Sequence, residues 1–316
     1  MKRISTLMLL LFTCLVLAAW PQAKRKTKII TFDAPGAGTG ANQGTDPVQN
    51  TAAGVIVGLS TDANSVNHGF LRSADGEFTI FDAPNAGTSP GQGTFAFSIN
   101  PAGTISGFYL DASGVSHGFV RSRRGPITSF DPVGSVSTGG LTLGINPAGT
   151  IADDYTDANG VIHGFVRNRD GLIFTIDAPG AGTGAGQGTN LESVNVAGTI
   201  PGISIDANGV IHGFVRSADG EFATFDAPNA GTSPGQGTFA NTTNPSGVTV
   251  GTTVDANTVN HGFVRAKDGT IIVFDVPGAG TGAGQGTFGS TINPKGAVLG
   301  FYIDSNGAAH GFVSTP

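Results

Sequence analysis

Histidine occurs six times in this chain, at His68, His117, His163, His212, His261 and His310, each time within His-Gly-Phe. The intervals are 49 residues, except for one of 46 between His117 and His163. Fourteen residues after each of the first five lies an aspartate in a run close to Phe-Asp-Ala-Pro: Asp82, Asp131, Asp177, Asp226 and Asp275. The sixth such aspartate, Asp33, precedes every histidine. A fixed period of this length means that one supersecondary unit recurs and that each copy completes its core on its neighbour. The displaced copy adds a topological demand. The first strand of the chain is the missing last strand of the final unit, which is how a ring is fastened.

One period, Phe78 to Ser122, shows the plan. Residues 78–82 (Phe-Thr-Ile-Phe-Asp) form a β-run, followed by a long loop from Ala83 to Gly93. Three further runs start at Thr94, Thr104 and His117, separated by the turns Asn100-Pro101-Ala102-Gly103 and Asp111-Ala112-Ser113-Gly114. Phe, Ile, Val, Thr and Tyr fill the runs, while Asn-Pro, Asp and Gly fill the turns, as strands and hairpins require. Each period thus holds four strands, three tight turns and one long link. A β-propeller blade has that plan, because a meandering sheet needs length only where the chain crosses from the outer edge back to the centre. A solenoid coil would be shorter and would not need three hairpins. The expected fold is therefore all-β: a six-bladed β-propeller of four-stranded blades over 24–316, the strand at Thr94 innermost. Lys28–Asp33 is expected to close the ring beside His310–Ser314. The short period is read as a three-residue deletion confined to the loop after Pro132. Arg72–Phe95 and Arg216–Phe239 differ only at Thr79/Ala223 and Ile80/Thr224, which points to a copied three-blade half.

The run Gly-Phe-Tyr-x-Asp-Ala-x-Gly-x-x-His-Gly-Phe-Val-Arg, seen from Gly107 to Arg121, resembles the bacterial HAF-type extracellular repeat, named for His-Ala-Phe. Glycine holds the middle place in all six copies here. The resemblance covers about 27–316 and implies an exported protein; it brings no catalytic residues with it.

The N-terminus reads the same way. Lys2 and Arg3, an apolar run from Leu7 to Leu17, and Ala18-Ala19 have the form of a signal peptide over 1–23, cut between Ala19 and Ala23. The run is shorter than the ~20 residues of a bilayer span, so no membrane span is expected after cleavage. The expected location is extracellular or periplasmic. Cleavage would remove the only cysteine, Cys14, leaving no disulfide and no thiol chemistry. With 51 glycines and 12% charged residues the chain disfavours helices, since each helical Gly costs about 1 kcal/mol. A net charge of −6 without a basic cluster argues against nucleic acid.

Equivalent histidines of successive blades lie too far apart to share a metal at ~2.0–2.1 Å. The structural reading is that His68 faces Asp82 across a three-residue turn and is buried against it. The pairs His117–Asp131, His163–Asp177, His212–Asp226, His261–Asp275 and, across the closure, His310–Asp33 follow. The Gly-rich loops at Gly36, Gly180 and Gly278 are followed by strands, whereas a phosphate loop needs a helix. Asp62-Ala-Asn64, Asp157-Ala-Asn159 and Asp206-Ala-Asn208 read as hairpin turns, with weak calcium binding as the alternative, because the later ligands of a calcium loop are missing. No other cofactor is expected.

Departures from the repeat are where a particular function would show. Asp153 replaces the glycine found at Gly58, Gly107, Gly202, Gly251 and Gly300; Asp154 follows it; and Glu192 stands in an innermost strand where other copies carry small or apolar residues. Such carboxylates serve acid/base chemistry or cations. Adjacent residues of a strand point to opposite faces, so Asp153 and Asp154 are not expected to share one substrate atom. The leading expectation is a secreted, monomeric, non-enzymatic protein. It would bind a neutral glycan or another surface protein through a face of long loops and Asp-Ala-Asn turns, rich in Gln43, Gln92, Gln187, Gln236 and Gln285. The alternative is a polysaccharide hydrolase or lyase using Glu192 with Asp153 or Asp154 at the channel mouth.

Overall fold

The computed structural model describes residues 30–139 and 144–314. The chain divides into two compact units, Met1–Phe32 and Asp33–Pro316. Of the first, only Ile30–Phe32 are described, and they carry no strand; the signal segment lies outside the described residues. Among the described residues of the second unit every regular element is a strand, and the strands fall into six successive blades. The fold is a six-bladed β-propeller.

Blade 2 sets the pattern: Gly93–Ile99 innermost, then Ile105–Leu110, Ser116–Arg121 and Ile127–Phe130, paired antiparallel in that order. Blade 1 begins at Gly44–Asn50, blade 4 at Gly188–Leu191 and blade 5 at Gly237–Thr243. Blade 6 has three described strands, Gly286–Ile292, Val298–Ile303 and Ala309–Ser314. Of the closing segment, Lys28 and Ile29 lie outside the described residues and Ile30–Asp33 have no strand assignment. The end faces differ from the interior ones accordingly. Leu299 and Val313 of blade 6 are 54% and 67% exposed, whereas Val250, the blade 5 counterpart of Leu299, is fully buried.

Aromatic contacts join the blades. Where a Phe precedes the strand-end aspartate (Asp177 follows Ile176 instead), it meets edge-on the Phe of the next His-Gly-Phe: Phe81 with Phe119 at 6.2 Å, Phe130 with Phe165 at 6.0 Å, Phe225 with Phe263 and Phe274 with Phe312 at 5.9 Å. The arginine that ends His-Gly-Phe-Val-Arg lies over the same ring, with Arg121 4.7 Å from the Phe81 centroid and Arg265 4.7 Å from that of Phe225. Edge-on pairs of this kind contribute about 0.5–1.5 kcal/mol beyond area burial. They also explain the middle glycine. A Cβ at Gly69 would stand 2.6 Å from the Phe81 ring, so the alanine of the His-Ala-Phe pattern does not fit here.

Blade 3 departs from the plan, and the departure corrects the sequence reading of its short period. Thr138 pairs with Tyr155 as Thr94 pairs with Tyr109, and Ile145 pairs with Ile151 as Ile99 pairs with Ile105. On that register the loop from Asp131 is five residues shorter than its counterparts, while the stretch between the two pairs, Thr138 to Ile145, is two residues longer than Thr94 to Ile99. The change is not confined to the loop. Its cause lies at Asp153. In blade 2 the inner strand bulges between Ala96 and Ser98, and a Cβ on Gly107 would sit 2.0 Å from the Phe95 carbonyl oxygen. At Gly58, Gly251 and Gly300 the corresponding distances are 2.1, 1.9 and 2.0 Å. An aspartate at this place is incompatible with the bulged inner strand. In blade 3 the described inner-strand residues are Ser135–Thr138 and Gly144–Ile145.

Candidate functional site

The long loop and the second hairpin turn lie on one face, and in every blade but the third they are tied together by a glutamine of the loop. Gln92 Oε1 accepts the Ser89 N–H, and its Nε2 donates to the Ala112 carbonyl at 3.1 Å. Gln43, Gln187, Gln236 and Gln285 make the same second bond to Ala63, Ala207, Ala256 and Ser305 at 3.0–3.3 Å. These side chains therefore act as clamps. The expectation that they face a ligand is corrected, because both ends of the amide are already engaged by the loop and the turn.

The turns themselves are held by their first aspartate. Asp62 Oδ1 accepts the N–H groups of Asn64 and Val66, both at 2.8 Å, and Asp157, Asp206, Asp255 and Asp304 repeat the geometry. The bond from the residue four positions on, foremost, holds Asp62, Asp111, Asp157, Asp206 and Asp304 below the ordinary carboxylate range. An oxygen engaged by two amides serves a calcium ion poorly. Among the described residues no three His, Cys, Asp or Glu side chains converge with metal-ligand geometry.

Five of the histidines stand between two aspartates on this face. His68 Nδ1 is 2.9 Å from Asp82 Oδ1, and its Nε2 is 3.8 Å from Oδ2 of the turn residue Asp62. His117–Asp131, His163–Asp177, His212–Asp226 and His261–Asp275 repeat the closer contact at 2.9–3.0 Å. The sequence reading buried these imidazoles, but they sit at the blade rim, their side chains 22–29% exposed, and their strand-end carboxylates are 40–54% exposed. At His117, burial opposes the charged form, but the hydrogen bond and charge of Asp131 outweigh it and the pKa is raised. His310 differs. Its Nε2 approaches Asp304 at 3.5 Å and its side chain is 45% exposed, and no hydrogen bond joins it to Asp33 among the described residues.

The three aberrant carboxylates come together across the junction of blades 3 and 4. Asp153 is 1% exposed; its Oδ1 accepts the Asp154 N–H at 2.8 Å, and the two carboxyl groups are hydrogen-bonded to each other. The rule that neighbours on a strand face apart fails here because the Asp153 side chain folds back along its own backbone. Burial first, then the Asp153 charge and hydrogen bond and the Glu192 charge, push Asp154 up to about 8. Burial, followed by the Asp153 charge, pushes Glu192 up to about 7. Glu192 follows the strand Gly188–Leu191 and its N–H bonds to the Pro201 carbonyl, which places it level with the bulge residue Phe97 rather than with Ala96.

A second repeated system escaped the sequence reading. On the opposite face, Asn100 at the first hairpin turn accepts the N–H groups of Ala102 and Thr104 through Oδ1, while its Nδ2 donates to the Asn146 carbonyl of the next blade at 3.2 Å. Asn146 donates to Asn195, Asn195 to Asn244 and Asn244 to Asn293, at 3.2–3.3 Å. The Asn-x-x-Gly turn signal was visible, but its reach into the next period was not.

No family model matches the chain, and no curated protein matches it by sequence. Among solved structures it is similar to the BP39L lectin from Burkholderia pseudomallei, with a TM-score of 0.52 and 10% identity over 86% of this chain and 81% of that one. TolB from Acinetobacter baumannii matches with a TM-score of 0.46 and 11% identity over 72% of this chain and 52% of that one. A six-bladed β-propeller fungal lectin, the Aleuria aurantia lectin, matches with a TM-score of 0.35 and 15% identity over 84% of this chain and 88% of that one. The likeness to the BP39L lectin is one of fold.

Proposed function

We propose that this chain is a non-enzymatic, multivalent binding protein that takes neutral glycans on the face of long loops and Asp-Ala-Asn turns. The observation that carries this reading is the five-fold recurrence of a fixed, half-exposed carboxylate: Asp82, Asp131, Asp177, Asp226 and Asp275, each held at 2.9–3.0 Å by a histidine. A carboxylate with its orientation set and lone pairs open to solvent accepts hydroxyl groups of a neutral sugar without needing opposite charge. Repetition of a weak site on one rigid face multiplies affinity for a repeating polymer. The BP39L lectin, named for sugar binding, shares the architecture. Export, expected from Lys2, Arg3 and the run Leu7–Leu17, belongs to the same proposal and is checked by cell fractionation.

A glycan screen on the chain without residues 1–23, run with and without calcium, tests the reading, followed by calorimetry of any ligand found. Saturable binding at several equivalent sites is expected, with Asp226→Asn removing one site from the stoichiometry. Failure to bind any neutral glycan, or binding at a single site untouched by Asp226→Asn, overturns it. The carboxylates Asp153, Asp154 and Glu192 support a second reading, a polysaccharide hydrolase or lyase, since a Glu192 raised to about 7 lies in the range a general acid or base needs. Turnover of a polysaccharide that disappears in Glu192→Gln would establish it.

A further inference from the structure

On the face opposite the proposed glycan clefts, a cavity of about 770 Å³ opens between blades 1, 2 and 3. That size lies within the roughly 300–1,000 Å³ of small-molecule sites. Its walls include Val55, Leu71, Ile99, Pro101, Ile145 and Pro147, and among the described residues no aromatic side chain lines it. Without an aromatic platform the cavity is poorly made for a sugar ring, whereas branched aliphatic walls suit an alkyl chain.

The polar side chains around the cavity are mostly committed. Gln49 Oε1 accepts the Ile99 N–H, Thr51 Oγ1 accepts the Val55 N–H, and Asn100 belongs to the interblade ladder. Arg123 is different. Its aliphatic stem lies over Gly103, where a Cβ would meet the Arg123 Cγ at 3.1 Å, and no acidic partner stands within ion-pair distance among the described residues. In four other copies of this hairpin the next residue is an aspartate, at Asp75, Asp170, Asp219 and Asp268; blade 2 has Arg124 instead. Two cations without a local acid therefore stand in the blade 2 hairpin, beside an aliphatic cavity.

We propose that this cavity binds an amphipathic monoanion, an alkyl chain ending in a carboxylate, with the tail against the aliphatic walls and the carboxylate on Arg123. The guanidinium is the geometrically suited partner for a carboxylate, and its charge is not neutralised by the protein. The tail accounts for length dependence, since each methylene removed from water is worth about fourfold in affinity.

The test is calorimetric titration of the chain with dodecanoate below its micellar range. Binding of one molecule per chain is expected, with decanoate weaker by roughly fifteenfold, two methylenes at about fourfold each. Arg123→Gln, at an exposed turn position, should weaken dodecanoate by at least tenfold and leave an uncharged dodecanol analogue unaffected. Ala53→Trp, which fills the mouth from an exposed turn, should abolish binding of both while the melting temperature and any glycan binding persist. No binding of dodecanoate, binding unchanged in Arg123→Gln, or uptake of many molecules per chain overturns the proposal. Should Ala53→Trp fail to fold, the Arg123→Gln result and the chain-length series decide alone. Loss of glycan binding in the parent chain would leave this site standing, since the two lie on opposite faces.

Discussion

Glu192 gives the sharpest test of how the aberrant carboxylates affect the fold. Its pKa is raised from 4.5 to about 7, first by burial and then by the charge of Asp153. A group whose folded pKa exceeds its unfolded value binds its proton more tightly in the native state. Its contribution is therefore fully present below pH 4.5 and is lost as the pH rises through about 7. At 1.36 kcal/mol for each pH unit of separation, ionising Glu192 costs the native state about 3 kcal/mol by pH 8.5. For a chain of this length that is a fall of roughly 6 °C in melting temperature. Glutamine mimics the protonated acid and does not titrate. Thermal unfolding at pH 5 and pH 8.5 should show the parent and Glu192→Gln melting together at the lower pH, with the variant higher at pH 8.5. Asp153→Asn should give part of the same gain, because the Asp153 charge is one of the causes. Asp154, pushed up to about 8 in part by the Glu192 charge, titrates in the same window, so removing that charge in Glu192→Gln adds to the variant's gain; His117, whose pKa is raised and has the same sign, is common to parent and variant and cancels in their difference. Parent and Glu192→Gln curves that stay parallel from pH 5 to 8.5 would refute the reasoning.

Gly107→Ala should destabilise by about 3 kcal/mol or more, since its Cβ would stand 2.0 Å from the Phe95 oxygen and the inner strand must yield; denaturant melts measure it. Asn146→Ala removes the acceptor of the Thr150 N–H at 2.9 Å and the donor to Asn195, so a loss of about 1–3 kcal/mol and faster amide exchange at Thr150 are expected. His212→Gln should cost under about 1 kcal/mol, because both partners of the pair are partly solvated, Asp226 being 52% exposed; a larger loss in melting experiments would mean the pair is structural.

The repeat made most of the fold legible. Strand order, the three hairpins and the face shared by long loops and Asp-Ala-Asn turns all follow from one period, because each turn type advertises its chemistry locally. His68 opposite Asp82 was legible for the same reason, the three-residue turn Ala74–Gly76 fixing the register. What stayed hidden depends on contacts between periods. The Asn100 side chain satisfies its own turn and also the Asn146 carbonyl of the next blade, and nothing in the local pattern announces the second bond. Gln92 read as a surface polar group, although the turn twenty residues on consumes its amide.

Blade 3 shows how a single residue type propagates through such an assembly. The glycine at Gly107 and its counterparts is there to let the bulged inner strand lean over the second strand, so its replacement is not a local matter. Asp153 introduces both a side chain and a charge at a place that is otherwise bare, and its 1% exposure leaves that charge little water. The register changes with it: the loop from Asp131 to Thr138 is five residues shorter than in the other blades, and the stretch from Thr138 to Ile145 two residues longer. The buried charge in turn raises the proton affinity of Asp154 and of Glu192 in the next blade. Glycines at this position are thus packing residues, whereas the one aspartate marks the place where the rotational equivalence of the blades is broken. A repeat protein gains a unique site by that route without altering any other blade, since each junction depends only on its two neighbours.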